Sequence, residues 1–281
     1  MAPPAPALLR KEARLLEVLR GAGRVVVAYS GGVDSTYLAH AAHRALGRGA
    51  LAVTAISPSY PAHHREMAER VVRERGMAHR FVETREMLRE GYRRNAPDRC
   101  YHCKSELFDV LEALRRELGF DAVAYGINTD DRGDYRPGHR AAEERGILAP
   151  LLEAGLGKAE IRELSRAAGL PTAGIPASAC LASRLPYGTA VTEERLARIE
   201  RGEEALRALG FRQVRLRDHG EVARIEIAPE ELPGALDPAV ARALVAALKP
   251  LGFRYIALDL EGYRTGALNE GLAGPPTPSG G

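Results

Sequence analysis

The sequence is poor in cysteine and lysine, and it has neither a long apolar run nor a strong excess of charge of one sign. A membrane-spanning helix needs about 20 consecutive apolar residues. No run approaches that length, and the first 16 residues lack the apolar core of a signal peptide. The net charge of +3 is too small for a polycation that coats nucleic acid. The sequence therefore predicts a cytoplasmic protein that binds neither a membrane nor a nucleic acid.

The chain has 281 residues, enough for two domains at about 150 residues each. In its first half, apolar runs at 25–29, 51–56, 80–83 and 122–127 read as strands, and amphipathic segments at 36–46, 64–75 and 105–118 read as helices. This alternation predicts an α/β fold with a doubly wound parallel sheet.

The order of predicted elements changes in the second half. Helices are predicted at 193–209 and 238–248, and strands at 214–217, 222–227 and 254–258, which indicates a second, smaller α+β domain. Pro186, Tyr187 and Gly188 mark a hinge. The predicted division is therefore a first domain over 1–185, a second over 186–270 and a disordered tail over 271–281.

A glycine-containing segment, Ser30-Gly31-Gly32-Val33-Asp34-Ser35, follows the first predicted strand and precedes a helix. Adjacent glycines can adopt backbone angles that let several N–H groups converge at the positive end of a helix, where a phosphate binds well. The sequence lacks both GxxxxGK[ST] and a GxGxxG after this strand, so this is a different type of phosphate loop. Asp34 or Ser35 could instead simply cap the helix.

Acidic residues also follow the strand at 122–127, in the segment Asn128-Thr129-Asp130-Asp131. The carboxyl end of a parallel strand faces the ligand crevice of such a sheet. Asp34 and Asp130 would repel a phosphate unless a cation lay between them, and Mg²⁺ could supply that charge. Either carboxylate could equally be only a cap.

The three cysteines are Cys100 and Cys103, which form a CxxC ahead of the helix predicted at 105–118, and Cys180. A redox pair would use only two of them, and a structural zinc usually has four protein ligands. A [4Fe–4S] cluster normally takes four thiolates, so three would leave one iron open. The spacing leaves these alternatives open and favours the cluster only slightly.

Arg215 and Arg217 lie two residues apart on a predicted strand, so both point to one face. Two guanidinium groups suit a phosphate, although a solvated strand face has the same pattern. Arg184 could neutralise a carboxylate or phosphate near Cys180. Glu203 is one of several glutamates on the preceding helix, and Glu200 or Glu204 would serve equally well.

The segment Ser30–Ser35 resembles the SGGxDS motif of the ATP pyrophosphatase (PP-loop) enzymes, which cleave ATP between the α and β phosphates. Nearly the whole chain is similar to the LarE family, ATP-dependent sulfur transferases that build the nickel-pincer nucleotide of lactate racemase. The segments that carry this similarity are 98–104, 136–138, 180–184, 215–220 and 223–226.

The resemblance implies a set of roles for residues of this chain. The implied ATP-binding residues are Ser30, Gly31, Gly32, Asp34, Ser35, Gly126 and Asp130. The implied catalytic residues are Cys180 and Asp34, and the implied substrate-binding residues are Arg184, Arg215, Arg217 and Glu203. The substrate would be the nicotinate-derived pyridinium-3,5-biscarboxylic acid mononucleotide. The resemblance also implies that the protein uses Mg²⁺ and a sulfide source and that it assembles as a homo-oligomer.

In this family the cysteine that matches Cys180 carries the sulfur. In some members the sulfur of this side chain is transferred to the substrate, which leaves dehydroalanine after a single transfer. Similar members have two further cysteines that, with the first, hold a [4Fe–4S] cluster and permit repeated transfers. Cys100, Cys103 and Cys180 place this chain with the second group.

Three other functions remain open from the sequence. A PP-loop tRNA thiolase would carry extra zinc-binding cysteines or a strongly basic RNA-binding domain, and this chain has neither. A non-catalytic ATP-binding protein would have no use for Cys180. A structural zinc protein is the third alternative.

Overall fold

The computed structural model describes residues 4–133, 137–175, 179–264 and 267–269. The chain divides into two compact units, Met1–Ser178 and Ala179–Gly281. The predicted tail 271–281 and Arg136 of the segment 136–138 lie outside the described residues.

The first unit contains a four-stranded parallel sheet in the order β3-β2-β1-β4. Its strands are β1 Val25–Ala28, β2 Ala50–Ile56, β3 His79–Glu83 and β4 Ala122–Tyr125. Its helices are α1 Pro6–Gly21, α2 Val33–Leu46, α3 Ala62–Glu74, α4 Glu90–Arg93, α5 Arg99–Leu118, α6 Pro137–Glu143, α7 Pro150–Glu153 and α8 Lys158–Ala167. This architecture confirms the predicted parallel α/β fold.

Helices cover both faces of this sheet, and the apolar sequence of β1 explains this arrangement. All four residues of β1 are apolar and buried, as expected for a strand with helices on both sides. Successive side chains of a strand point to opposite faces. Val25 and Val27 accordingly pack in a core with residues of α1, α2 and α8, whereas Val26 and Ala28 pack with residues of α5 and α6.

The second unit contains a three-stranded mixed sheet in the order β5-β6-β7. Its strands are β5 Val214–His219, β6 Val222–Ile227 and β7 Tyr255–Leu258, and its helices are α9 Glu193–Ala208, α10 Leu232–Ala235 and α11 Pro238–Leu248. The β5–β6 pair is antiparallel across the turn Gly220-Glu221, where Gly220 has φ +77°, and β6 pairs with β7 in parallel. This confirms the predicted smaller α+β arrangement.

A short 3₁₀ turn, Leu181–Arg184, belongs to the second unit because it packs on α9 and β5. These contacts explain why the second unit begins at Ala179, whereas the sequence puts the boundary after residue 185.

No helix within the described ranges combines the length and apolar character needed to cross a membrane.

Candidate functional site

The glycine loop joins β1 to α2 in the first unit, and its own side chains hold its shape. Gly31 has φ +74°, and a Cβ there would lie 3.3 Å from Cβ of Ala68. The hydroxyl of Ser35 accepts from the backbone N–H of Ser30 at 3.1 Å and donates to the carbonyl of Gly32 at 3.1 Å. Because Gly32 caps α2 without a side chain, no N-cap group competes with an anion for the N–H groups of the first turn.

Gly126 follows β4 and touches the start of α2 backbone to backbone. A Cβ on Gly126 would lie 2.9 Å from the backbone nitrogen of Ser35 and 3.1 Å from the carbonyl carbon of Asp34. Only glycine fits so close an approach to backbone atoms. Gly126 therefore fixes the position of the glycine loop relative to the end of β4.

Asp34 and Asp130 are brought together by one residue, Lys158, at the first position of α8. The Lys158 ammonium group donates to Oδ2 of Asp34 at 2.6 Å, and its backbone N–H donates to Oδ2 of Asp130 at 2.7 Å. Gly157 precedes it, and a Cβ there would lie 3.2 Å from both Asp130 Oδ1 and Thr129 Oγ1. The ends of β1 and β4 and the start of α8 thus meet around these two carboxylates.

The Asp34 carboxylate is largely buried, and its burial has an electrostatic cost. Desolvation raises the pKa of Asp34, and the hydrogen bond and charge of Lys158 oppose that rise. Among the described residues, Oδ1 of Asp34 is buried and has no hydrogen-bond partner. A buried carboxylate oxygen without a donor is a group that can coordinate a hard cation such as Mg²⁺.

Lys158 is a residue of this site that the sequence alone did not indicate. Lysine is rare in this chain, the four being Lys11, Lys104, Lys158 and Lys249. The feature of the sequence that could have pointed to Lys158 is a rare lysine directly after Gly157, at the start of a helix. Its partner Asp34 is 124 residues away in the sequence, so only the fold reveals the pair.

In the second unit, Arg184 and Glu203 form a fully buried ion pair. Nε and Nη2 of Arg184 donate to the two oxygens of Glu203 at 2.7 and 3.0 Å, and the side chains are 0% and 1% exposed. Glu203 also accepts from Arg207 and from the backbone N–H of Leu216. These positive partners hold the pKa of Glu203 below its ordinary value despite burial, which on its own raises it. The structure thereby selects Glu203 over Glu200 and Glu204 as the partner of Arg184.

Arg184 also fixes the backbone next to Cys180. Its Nη1 donates to the carbonyls of Ala179 and Cys180 at 2.7 and 2.9 Å, and the Ser183 hydroxyl donates to the Cys180 carbonyl at 2.7 Å. The thiol of Cys180 is therefore carried on a backbone held by a buried guanidinium. Arg184 supports this backbone, and its predicted role in neutralising a carboxylate or phosphate stays a prediction.

Arg217 is not on a solvated strand face, which was the alternative reading of its pattern. It is buried and donates twice to Glu226, at 2.8 Å each, and once to the Ser183 carbonyl at 2.6 Å. Arg215 lies over the ring of Tyr263, and burial and the nearby Arg184 lower its pKa. Both arginines are thus held at defined positions.

A cavity of about 340 Å³ opens beside these groups in the second unit. Arg184, Arg217, His219 and Arg224 line it together with Pro186, Tyr187, Ala267 and Leu268. Arg224 shares Glu226 with Arg217 and also lies 3.5 Å from Oδ2 of Asp259. Burial and the same two arginines lower the pKa of His219. The residues that line the cavity therefore include three guanidinium groups and no carboxylate, a lining suited to a phosphate.

Cys100 and Cys103 lie inside the first turns of α5, not ahead of the helix as the sequence predicted. Cys100 is exposed and Cys103 is partly buried. The first residue of the helix, Arg99, is buried and donates to the side chain of Asn95, which anchors the start of α5. Gly138 lets α6 approach this turn, since a Cβ there would lie 3.3 Å from the Cys100 carbonyl oxygen.

The three-cysteine ligand set remains a prediction because its members belong to different units. Cys100 and Cys103 are in the first unit, and Cys180 is in the second. Within either unit, the described residues contain no group of three or more His, Cys, Asp or Glu side chains arranged to hold a metal ion.

Three known proteins are similar in sequence to this chain. No protein-family model matches the sequence. An uncharacterized protein of Synechocystis sp. is 46% identical over 249 residues, 89% of this chain and 93% of its own length. An uncharacterized protein of Methanocaldococcus jannaschii is 32% identical over 172 residues, 61% of this chain and 66% of its own length. The pyridinium-3,5-bisthiocarboxylic acid mononucleotide synthase of Lactiplantibacillus plantarum is 36% identical over 269 residues, 94% of this chain and 96% of its own length. The chain therefore belongs to the LarE family, the family of that synthase.

Proposed function

We propose that this protein is an ATP-dependent sulfur transferase that converts a carboxylate of pyridinium-3,5-biscarboxylic acid mononucleotide into a thiocarboxylate for nickel-pincer nucleotide synthesis. The observation that carries the proposal is the 36% identity to the bisthiocarboxylic acid mononucleotide synthase over 94% of the chain. The glycine loop and the positively charged cavity supply groups suited to the two substrates.

The first step is activation of the substrate carboxylate. The N–H groups of the loop Ser30–Ser35 bind the β and γ phosphates, and a carboxylate oxygen of the substrate attacks the α phosphorus. The bond between the α phosphorus and the bridging oxygen breaks, and pyrophosphate leaves. The product is an acyl adenylate, in which the carboxyl carbon has gained a good leaving group.

The second step is attack by sulfur. A sulfide sulfur from the external donor, presented near Cys180, attacks the acyl carbon; the bond from that carbon to the AMP oxygen breaks, AMP leaves, and a thiocarboxylate remains. The hydrogen bonds of Arg184 and Ser183 to the Cys180 carbonyl hold that residue in position. A second round on the other carboxylate gives the bisthiocarboxylic product.

The mononucleotide phosphate is bound in the cavity lined by Arg217 and Arg224. Their guanidinium groups are kept in place by Glu226, so little side-chain entropy is lost when the phosphate binds. Arg215, held over Tyr263, adds positive charge to the same part of the unit.

The proposed function includes two inorganic groups. Asp34, with its buried unpartnered Oδ1, and Asp130 would hold Mg²⁺, which neutralises phosphate charge. The thiolates of Cys100, Cys103 and Cys180 would hold a [4Fe–4S] cluster, which would leave one iron able to bind an external sulfide. An external sulfide donor and a homo-oligomeric assembly complete the proposal, and light scattering of the purified protein tests the assembly.

The test is pyrophosphate release measured with ATP, Mg²⁺, sulfide and the mononucleotide, with mass spectrometry of the nucleotide product. We expect release that depends on the mononucleotide, and exchange of carboxylate oxygen for sulfur in the product. Cys180→Ala should still release pyrophosphate but form no thiocarboxylate. ATP binding without pyrophosphate release would favour a non-catalytic protein, and thiolation of tRNA instead of the mononucleotide would favour a tRNA thiolase.

A further inference from the structure

The first observation is that the carbonyl of Ser30, at the start of the glycine loop, is held from outside the loop. The hydroxyl of Tyr60 donates to this carbonyl oxygen at 3.1 Å, and Tyr60 lies 30 residues further along the chain, between β2 and α3. The Gly32 carbonyl, in contrast, accepts from α2, from the Ser35 hydroxyl at 3.1 Å and the Thr36 N–H at 2.9 Å. Tyr60 therefore ties another part of the first unit to the first peptide of the loop.

The second observation concerns the direction of the Gly31 N–H. The Ser30 carbonyl and the Gly31 N–H belong to one peptide unit, and in a planar trans peptide the C=O and N–H bonds point in opposite directions. A donor that fixes the Ser30 carbonyl therefore also fixes the Gly31 N–H, which points away from Tyr60. This N–H is one of the loop groups that we propose bind the β and γ phosphates of ATP.

The third observation is that Gly31 leaves this peptide free to turn. Gly31 has φ +74°, and glycine adopts φ values of either sign about equally readily. Turning the Ser30–Gly31 peptide over would bring φ of Gly31 to a negative value and direct its N–H to the opposite side. The conformation of the glycine alone does not prevent this movement, so a donor outside the loop has to hold the peptide.

Tyr60 is itself held at a defined position. The preceding residue, Ser59, is buried and donates to Oε1 of Glu86 at 3.0 Å, and Glu86 is 2% exposed. The N–H of Tyr60 donates to the Ser57 carbonyl at 3.0 Å, and its ring meets His64 edge to face with the ring centres 5.9 Å apart. Burial raises the pKa of Tyr60, so the hydroxyl keeps the proton that it donates at neutral pH. The hydroxyl is thus a fixed donor.

We propose that Tyr60 is a positioning residue of the glycine loop, whose hydroxyl fixes the Ser30–Gly31 peptide so that the Gly31 N–H faces the β and γ phosphates of ATP. The inference rests on the proposed ATP-dependent function and adds to it a residue outside the loop. Without the hydroxyl, part of the protein holds the turned peptide, and the apparent affinity for ATP falls with the fraction that remains competent. AMP lacks these two phosphates, so its binding does not depend on Tyr60.

The experiment is calorimetric measurement of ATP and AMP binding by the full chain with Mg²⁺. Tyr60→Phe keeps the ring and removes the hydroxyl. It should weaken ATP binding about three- to tenfold, the net effect of one hydrogen bond, and leave AMP binding unchanged. The matched control is Tyr29→Phe, because the Tyr29 hydroxyl also donates to a backbone carbonyl, that of Ala68 on α3 at 3.3 Å. This control should leave both affinities unchanged.

Crystal structures of the two variants without nucleotide separate positioning of the loop from direct contact with ATP. The Ser30–Gly31 peptide should be turned, or present in two orientations, in Tyr60→Phe and should keep its orientation in Tyr29→Phe. The inference is wrong if Tyr60→Phe binds ATP as tightly as the wild-type protein, if both variants lose affinity equally, or if affinity falls while the peptide keeps its orientation. If the wild-type protein binds no ATP at all, the proposed function fails instead, and the orientation of the peptide still tests the role of Tyr60.

Discussion

The carboxylate of Glu203 accepts hydrogen bonds from Arg184, Arg207 and the backbone of Leu216, with almost no contact with water. A buried ion pair is not in itself a large source of stability, because both charges lose their hydration. Removing one partner is costly, since the other charge stays buried without compensation. Glu203 therefore supports Arg184, and through Arg184 the backbone at Cys180.

We expect Glu203→Gln to lower the free energy of unfolding by about 3 kcal/mol, the range found when a buried pair loses one charge. Denaturant unfolding followed by circular dichroism measures it. Glu204→Gln, one residue along the same helix at an exposed position, should change it little. Equal effects of the two variants would contradict the buried-pair argument.

The lowered pKa of Glu203 also predicts a pH dependence of stability. The unfolded side chain titrates near its ordinary value of 4.5, and the folded one titrates at lower pH. The stabilising contribution is thus complete above pH 4.5 and is lost as the pH falls through the folded pKa. Unfolding measured at a series of pH values should show that the free energy of unfolding of the wild-type protein falls more steeply with acidification than that of Glu203→Gln. Parallel curves would show that Glu203 does not cause the acid sensitivity.

The sequence pointed to candidate residues where a local pattern carried the information. The glycine loop and the alternating arginines of β5 are such patterns. It could not choose among Glu200, Glu203 and Glu204, because the choice depends on how closely α9 approaches β5. Gly202 allows that approach, as a Cβ there would collide with Leu216, and a glycine inside a helix was the overlooked signal. The pairing of Lys158 with Asp34 has no local signal of this kind.

Packing between β4 and α2 sets the shape of the glycine loop through Gly126. The atoms that a Cβ would meet belong to the backbone of Asp34 and Ser35, which cannot rotate away as a side chain could. A substitution must therefore move α2 or the end of β4. Either movement changes the loop that we propose binds ATP.

Gly126→Ala should accordingly destabilise the protein by about 1–3 kcal/mol, the usual effect of overpacking, and should weaken ATP binding. Thermal unfolding and calorimetric titration with ATP measure the two effects. Gly21→Ala is the control, because nothing lies within 4 Å of a Cβ at that position. Unchanged ATP affinity in a folded Gly126→Ala variant would show that this contact does not shape the site.

Strands β1, β2 and β4 of the first unit were predictable because they are short apolar runs. The start of α5 was not predictable, and the sequence analysis placed it six residues too late, at 105 instead of Arg99. The polar stretch around Cys100 has no apolar periodicity, so its helical state depends on buried Arg99 and on contact with α6. This correction matters chemically, because it puts both cysteines of the CxxC on a helix, three residues apart and therefore on neighbouring positions of one face.

The two units divide the cysteines between them, two on α5 and one before the 3₁₀ turn of the second unit. A shared cluster would therefore depend on both units at once. We expect protein purified without oxygen to contain iron and acid-labile sulfide, and Cys100→Ser, Cys103→Ser and Cys180→Ser each to lose most of both. His102→Asn, between the two cysteines of the CxxC, controls for local disturbance and should retain iron.

Intact-mass measurement after turnover gives the complementary readout. If the sulfur comes from an external donor through the cluster, Cys180 keeps its sulfur and each protein molecule converts many substrates. If Cys180 supplies the sulfur itself, its side chain becomes dehydroalanine and the yield stops at one transfer per chain. Iron-free protein with dehydroalanine at position 180 would contradict the cluster and show that Cys180 itself supplies the sulfur. The proposed adenylation step at the glycine loop would be unaffected by that result.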